Sequence, residues 1–286
     1  MLQLLFNGLV TGFLVALPAV ALSLTFSVLR FANFAIGAML TTGAYLIYAC
    51  NQLLGLGLVW AAVLGALAAG LLAVAFDALV FRPLRGRSPV TLLVASMGGS
   101  LILENAVRLL AGSAPLSYAV ATARPMRVLG LRVNHEQLLG IGVSLAVLLA
   151  LGWLLRSTRQ GRAMRAVADN AALAAVRGIN SERVITLTWA MAGALAAVAG
   201  MLIGLDTTLE PSMGWNYILP VFAAAILGGL GNPLGAVAGA LCMGVIGELS
   251  TLFMAPHYRS VAAFIVLAGL LLVRPSGLFG TQWVSK

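Results

Sequence analysis

Charge is what this sequence has least of. Only 9% of its 286 residues are charged, and the seventeen bases include a single lysine, Lys286. A soluble domain of this length carries roughly a quarter charged residues to hydrate its surface. Lipid must therefore solvate most of this one. The shortage of lysine excludes a Walker A loop, so any ATP that drives the protein is bound by another polypeptide. Neither HExxH nor GxSxG occurs, and no catalytic residue, metal or cofactor is expected. Cysteine is as scarce: Cys50 and Cys242 sit far apart in apolar segments, which suggests neither a disulfide framework nor a metal site. The two histidines, His135 and His257, fall in segments read as outer loops. The chain of intramembrane acids and histidines expected of a proton-coupled carrier is thus missing.

What is present is apolar: 61% of the residues are hydrophobic, and the mean hydropathy is +1.04. Runs of about twenty apolar residues are what crossing the hydrocarbon demands, and the Gly-rich runs lack the period-two alternation of a barrel strand. The fold class is an all-α polytopic transmembrane bundle of 8–10 spans, some broken or re-entrant, forming a single domain over residues 1–286. The first apolar stretch follows no basic region and no small-residue cleavage site precedes it, so it reads as a retained span. The favoured spans are 8–29, 33–50, 56–81, 90–111, 137–155, 184–205, 217–230, 234–253 and 260–274.

The net charge of +9 is topological. Three arginines lie between Arg82 and Arg87 and six between Arg156 and Arg183, in short loops that the positive-inside rule assigns to the cytoplasm. With those loops inside, nine crossings put the N-terminus outside and twelve of the seventeen bases inside. No aromatics alternate with these arginines as nucleic-acid stacking would require. Glu104 and Arg108, four apart, share a helix face and can pair. Glu248 stands alone on its span, and Asp77 is placed for neutralisation by Arg82. Gly193 with Ala197 and Met201, and Gly239 with Met243, read as packing seams.

Two polar turns resemble each other. Asn33 leads through Gly37 into one helix of small residues, and Asn232, after Gly229, leads through Gly235 into another. These are either broken-helix turns along a transport pathway in two structural repeats or simple helix caps. The loop 156–183 is the strongest local feature. Its stretch 162–168 puts Met164, Val167 and Ala168 on one face and Arg162 and Arg165 toward another. Asn170 can cap a second short helix ending at Gly178, and Ser181 can cap the next span. Such an element suits docking on a cytoplasmic partner, or lying on an anionic leaflet.

In order along nearly the whole chain come Ser27-Val28-Leu29-Arg30-Phe31-Ala32-Asn33-Phe34, Phe81-Arg82-Pro83-Leu84-Arg85-Gly86-Arg87, Gly161-Arg162-Ala163-Met164-Arg165-Ala166-Val167-Ala168-Asp169-Asn170 with Gly178-Ile179, Ile226-Leu227-Gly228-Gly229-Leu230-Gly231-Asn232-Pro233-Leu234-Gly235, and Arg274-Pro275-Ser276-Gly277-Leu278-Phe279-Gly280. In this the chain resembles the LivH-type permeases of branched-chain amino acid ABC importers. The resemblance implies a multi-pass subunit of the bacterial inner membrane without an ATPase site of its own. It implies three kinds of protein partner: a second related permease or a second copy, two cytoplasmic ATPase subunits, and a periplasmic solute-binding protein. It makes Gly161, Arg162, Met164, Arg165, Val167, Ala168, Asp169, Asn170, Gly178 and Ile179 the ATPase-coupling segment. The implied cargo is branched-chain or other hydrophobic amino acids, or similar small organic solutes. Many relatives carry a polar His-Gly-Asp after the Asn-Phe-Ala turn, where this chain has Ile36-Gly37-Ala38, which makes that turn more apolar. The alternative is an autonomous secondary transporter or channel.

Overall fold

The computed structural model describes residues 1–120, 126–128, 131–255, 258–274 and 276–280. His257, Pro275 and Lys286 lie outside them. Ten α-helices follow in order: α1 (Leu2–Leu29), α2 (Ala35–Gln52), α3 (Leu58–Phe76), α4 (Pro89–Ala111), α5 (His135–Ser157), α6 (Arg159–Val176), α7 (Ser181–Asp206), α8 (Met213–Gly228), α9 (Pro233–Ser250) and α10 (Arg259–Val273). The polytopic helical bundle expected from composition is what forms. Among the described residues, six stretches are long and apolar enough to cross a membrane: α1, α3 with its extension to Leu84, α4, α5, α7 and α9. Two short strands, β1 (Met126–Val128) and β2 (Leu131–Val133), add an antiparallel ribbon in the segment before α5, which the hydropathy pattern does not indicate.

Local chemistry sets the helix ends. Ser88 accepts from the Thr91 amide ahead of Pro89, and Asn134 with Gln137 forms a capping box on α5. His135 is therefore the first residue of a helix, not a loop residue. Asn180, not Ser181, caps α7, accepting from the Arg183 amide at 3.1 Å. Asn232 caps α9 by accepting from the amides of Leu234 and Gly235, with Pro233 supplying the first helical residue. Beyond Phe76, α3 continues as a π-helical turn, Asp77–Phe81, and a 3₁₀ turn, Arg82–Leu84.

α1 and α7 form the centre. Ala16, Leu17, Ala19, Ala21 and Leu22 of α1 and Trp189 of α7 are fully buried. With little hydrophobic drive between helices in lipid, close packing holds them together, and small residues set its geometry. On the α1–α9 seam a Cβ on Gly12 would stand 2.9 Å from Cα of Leu241. Gly193 of α7 rests on Ala69 and Ala73 of α3, and Gly239 of α9 on Ala224 of α8. Both small-residue stretches read as seams are seams. α3, α4 and α5 turn Leu71, Ile102 and Trp153 outward, each exposed by two thirds or more. A bundle dissolved in hydrocarbon has that outer surface.

The loops sort to two ends. At one, Gln3 exchanges hydrogen bonds with the backbone of Arg132, Leu116 bridges to Leu209, and Tyr118 donates to the Ala44 carbonyl at 3.0 Å. Burial raises the phenol of Tyr118 far above its ordinary pKa. At the other end gather Arg30, the Arg82–Arg87 loop, α6, the Gly229–Asn232 turn and residues 276–280. The basic loops thus share one end, as the loop-charge assignment requires.

α2 departs from simple alternation. Gly43 packs against Ala197 of α7, eight residues into α2 but sixteen into α7. At 1.5 Å per residue, α2 begins about 12 Å deeper in the bundle than α7 does. The turn carrying Asn33 thus lies inside the bundle, and Asn33 is completely buried.

Candidate functional site

α6 lies across the basic end as two arms. Thr158 caps the first, accepting from the Gly161 amide at 3.0 Å, so this arm starts at Arg159, a turn earlier than the sequence pattern indicates. A Cβ on Gly161 would meet the Leu155 carbonyl at 2.3 Å, so the corner between α5 and α6 has no room for a side chain. The helix breaks at Asn170, where φ is −155° and ψ is 102°. Asn170 then caps the second arm by accepting from the Leu173 amide at 3.0 Å. At Gly178, with φ of +81°, the amides of Gly178 and Ile179 return to the carbonyls of Ala175 and Ala174. This is a Schellman end, and glycine adopts its left-handed residue without steric cost.

The ten residues of the expected coupling segment divide by this geometry. Gly161, Met164 and Val167 are buried against the rest of the bundle, and Ala168 and Ile179 are partly covered. Those side chains dock α6 onto its own spans. Arg162, Arg165, Asp169, Asn170 and Gly178 are exposed. Beside them the second arm presents two residues the amphipathic pattern does not single out: Leu173, 58% exposed, and Val176, 83% exposed. Their i, i+3 spacing in an otherwise alanine-rich stretch is the one signal the sequence holds for them.

The turns divide too. A Cβ on Gly37 would stand 2.7 Å from the Gly214 carbonyl, one on Gly235 2.3 Å from the Gly228 carbonyl, and one on Gly229 2.5 Å from the Gly280 nitrogen. All three are closed backbone seams. Asn33 accepts from the Ala35 amide at 3.1 Å at the entrance of α2, and its Nδ2 has no hydrogen-bond partner among the described residues. Asn232 donates to the Phe279 carbonyl at 3.2 Å and lines a crevice of about 500 Å³ with Arg30, Arg165, Ala168 and Asp169. One of the two polar turns thus meets α6, and the other lies buried deeper in the bundle.

Ion pairs tie the same end together. Asp77, expected beside Arg82, pairs instead with Arg85, whose other arm reaches Glu182 at the start of α7 at 2.5 Å. Arg82 takes a longer contact to Glu182, 3.5 Å. A 3₁₀ turn, Arg82–Leu84, ends the helix, and Arg85 just beyond it reaches back to Asp77. Burial opposes the charge on Arg85, yet hydrogen bonds to Asp77 and Glu182 outweigh it and hold its pKa above the ordinary value. Glu248, which the sequence leaves alone, pairs with Arg259 of α10 at 2.7 Å. Glu104 and Arg108 pair at 2.7 Å, as their spacing indicates. Among the described residues no group of acids, histidines and cysteines is placed to hold a metal.

The sequence model of the family "Branched-chain amino acid transport system / permease component" matches residues 4–273. The chain belongs to that family. The high-affinity branched-chain amino acid transport system permease protein LivH of Salmonella typhimurium (strain LT2) is 32% identical over 300 positions, covering all of this chain and 97% of LivH. BraD of Pseudomonas aeruginosa PAO1, a permease protein of the same description, is 33% identical, again over all of this chain and 97% of BraD. The ribose import permease protein RbsC of Escherichia coli K12 is 30% identical over 135 positions, 44% of this chain and 42% of RbsC. Among solved structures, PsaBC from Streptococcus pneumoniae in complex with Fab shares the fold, with a TM-score of 0.51 at 14% identity over 94% of this chain and 91% of that one. A permease component works within a larger transport system, which sets aside the autonomous carrier.

Proposed function

We propose that the chain is the membrane-spanning subunit of a binding-protein-dependent ABC importer, moving branched-chain or other hydrophobic amino acids, or similar small organic solutes, by alternating access. It sits in the bacterial inner membrane with its basic end in the cytoplasm. There it pairs with a second permease, related or identical, and two ATPase subunits dock below. A solute-binding protein delivers cargo at the opposite end. In this reading the chain hydrolyses nothing: α6 is the coupling element, and the buried Asn33 turn lies on or beside the path.

The observation that carries this reading is the second arm of α6. It is capped at both ends and rigidly placed, yet it turns Leu173 and Val176 away from the bundle, flanked by the exposed Arg165, Asp169 and Arg177. An apolar pair in a charged rim is the make-up of a protein-docking surface. Leu173→Asp with Val176→Asp is expected to abolish co-purification of the ATPase subunit that assembles with this chain, leaving detergent stability unchanged. Undiminished capture of the ATPase by that variant would remove α6 as the docking element.

A further inference from the structure

Arg30 is the only residue other than glycine with a positive φ among the described residues, at φ 55° and ψ 36°. It closes α1 by donating its amide to the Phe26 carbonyl at 2.8 Å, a left-handed position that glycine occupies without steric cost. An arginine kept there serves through its side chain. Its Nη2 donates to the carbonyl of Ala168 at 2.9 Å, across 138 positions of sequence. Ala168 stands two residues before the break in α6. In an unbroken helix its carbonyl would accept from the amide four residues on, and the break at Asn170 interrupts that ladder. Arg30 supplies a charged donor where the helix gives one up.

The other side of Arg30 leads inward. Phe31 follows, almost fully buried, with its ring 5.2 Å from that of Phe81, which stacks on Trp189 at 4.9 Å. The amide of Phe34 donates to Ser96 of α4 at 3.1 Å, and its ring meets Phe222 of α8 at 4.7 Å. Asn33 between them opens α2 deep in the bundle. Phe31 and Asn33 are buried and Phe34 is held by Ser96 and Phe222, so a displacement of Arg30 is passed on to the turn rather than absorbed.

We propose that Arg30 is a positioning residue: a strut through which movement of the α6 kink is transmitted to the turn 31–34 and to the inner end of α2. This rests on the importer reading above, with α6 as the coupling element. Two variants test it. Arg30→Gly removes the guanidinium while giving the backbone the residue it favours, and Arg30→Lys keeps a donor able to reach the carbonyl. In the full complex with ATPases and binding protein in proteoliposomes, R30G is expected to lower solute moved per ATP about tenfold while hydrolysis persists, with R30K intermediate. On the isolated permease, hydrogen exchange in R30G is expected to speed up at 170–173 and not within α7. A wild-type transport ratio in R30G, or unchanged exchange at 170–173, would overturn the strut. A wild-type complex that takes up no solute with ATP would instead overturn the importer reading, and the exchange experiment would still decide whether Arg30 holds the kink.

Discussion

Arg85→Ala is the perturbation that best probes how the basic end is held. Arg85 bridges Asp77, whose side chain is 4% exposed, and Glu182, and is itself only 17% exposed. Oδ1 of Asp77 already lacks a partner, so the variant leaves a buried carboxylate with none among the described residues. Removing one member of a buried pair costs about 3–5 kcal/mol, because the remaining charge stays desolvated. Partial access at Arg85 admits some water, which places the expectation at the low end, about 3 kcal/mol, or roughly a hundredfold in the unfolding equilibrium. The natural reporter is Trp189, buried and stacked on Phe81 in the same π-helical turn. With the other four tryptophans changed to phenylalanine, its fluorescence would follow reversible unfolding in mixed micelles. The double variant Asp77→Leu, Arg85→Met removes both charges and is expected to recover most of the loss, since apolar replacement of a buried pair is often neutral. A loss in Arg85→Ala below about 0.5 kcal/mol would refute the reasoning, because that is the scale of an exposed pair. So would a double variant no more stable than the single one.

Two further substitutions separate packing from capping. Gly214→Ala puts a Cβ 1.9 Å from the Gly37 carbonyl where α2 and α8 cross. It is expected to cost at least about 1–3 kcal/mol by overpacking, whereas Gly98→Ala, with nothing within 4 Å, should be neutral or slightly stabilising; thermal unfolding in detergent compares them. Asn170→Ala removes the acceptor for the Leu173 amide and is expected to weaken the second arm of α6 by about 1 kcal/mol. Amide exchange over 171–176 should then rise about fivefold, while that of the first arm stays as it was.

Much of this was legible because membrane solvation imposes a coarse rule on composition. A run too apolar for water must be a span, and the arginines mark the ends those spans share. The α6 break was legible too, since Asn caps and Gly ends are local chemistry: Asn170 and Gly178 act where their residue types dictate. Ion-pair partners were not. Arg82, five residues from Asp77, reads as its partner by nearness in sequence, but the 3₁₀ turn that ends the helix brings Arg85 to Asp77 instead. Glu248 reads as solitary because its partner, Arg259, lies on the next helix. The glycines at Gly37, Gly229 and Gly235 suggest pathway turns by type, and only their neighbours reveal closed seams.

The sequence by itself determined that this protein is a lipid-solvated bundle of helices with a basic end and a broken helix lying across it. Hydrophobic transfer and backbone capping act on neighbouring residues and need no tertiary contact to be read. Only the tertiary structure decided which face of that helix is spent on the protein's own core and which is left exposed. It alone decided that α2 begins inside the bundle, and that Arg30 meets the broken helix at Ala168 across 138 residues. Each of those depends on the depth at which small residues let two backbones meet, a property of pairs of helices that no single segment carries.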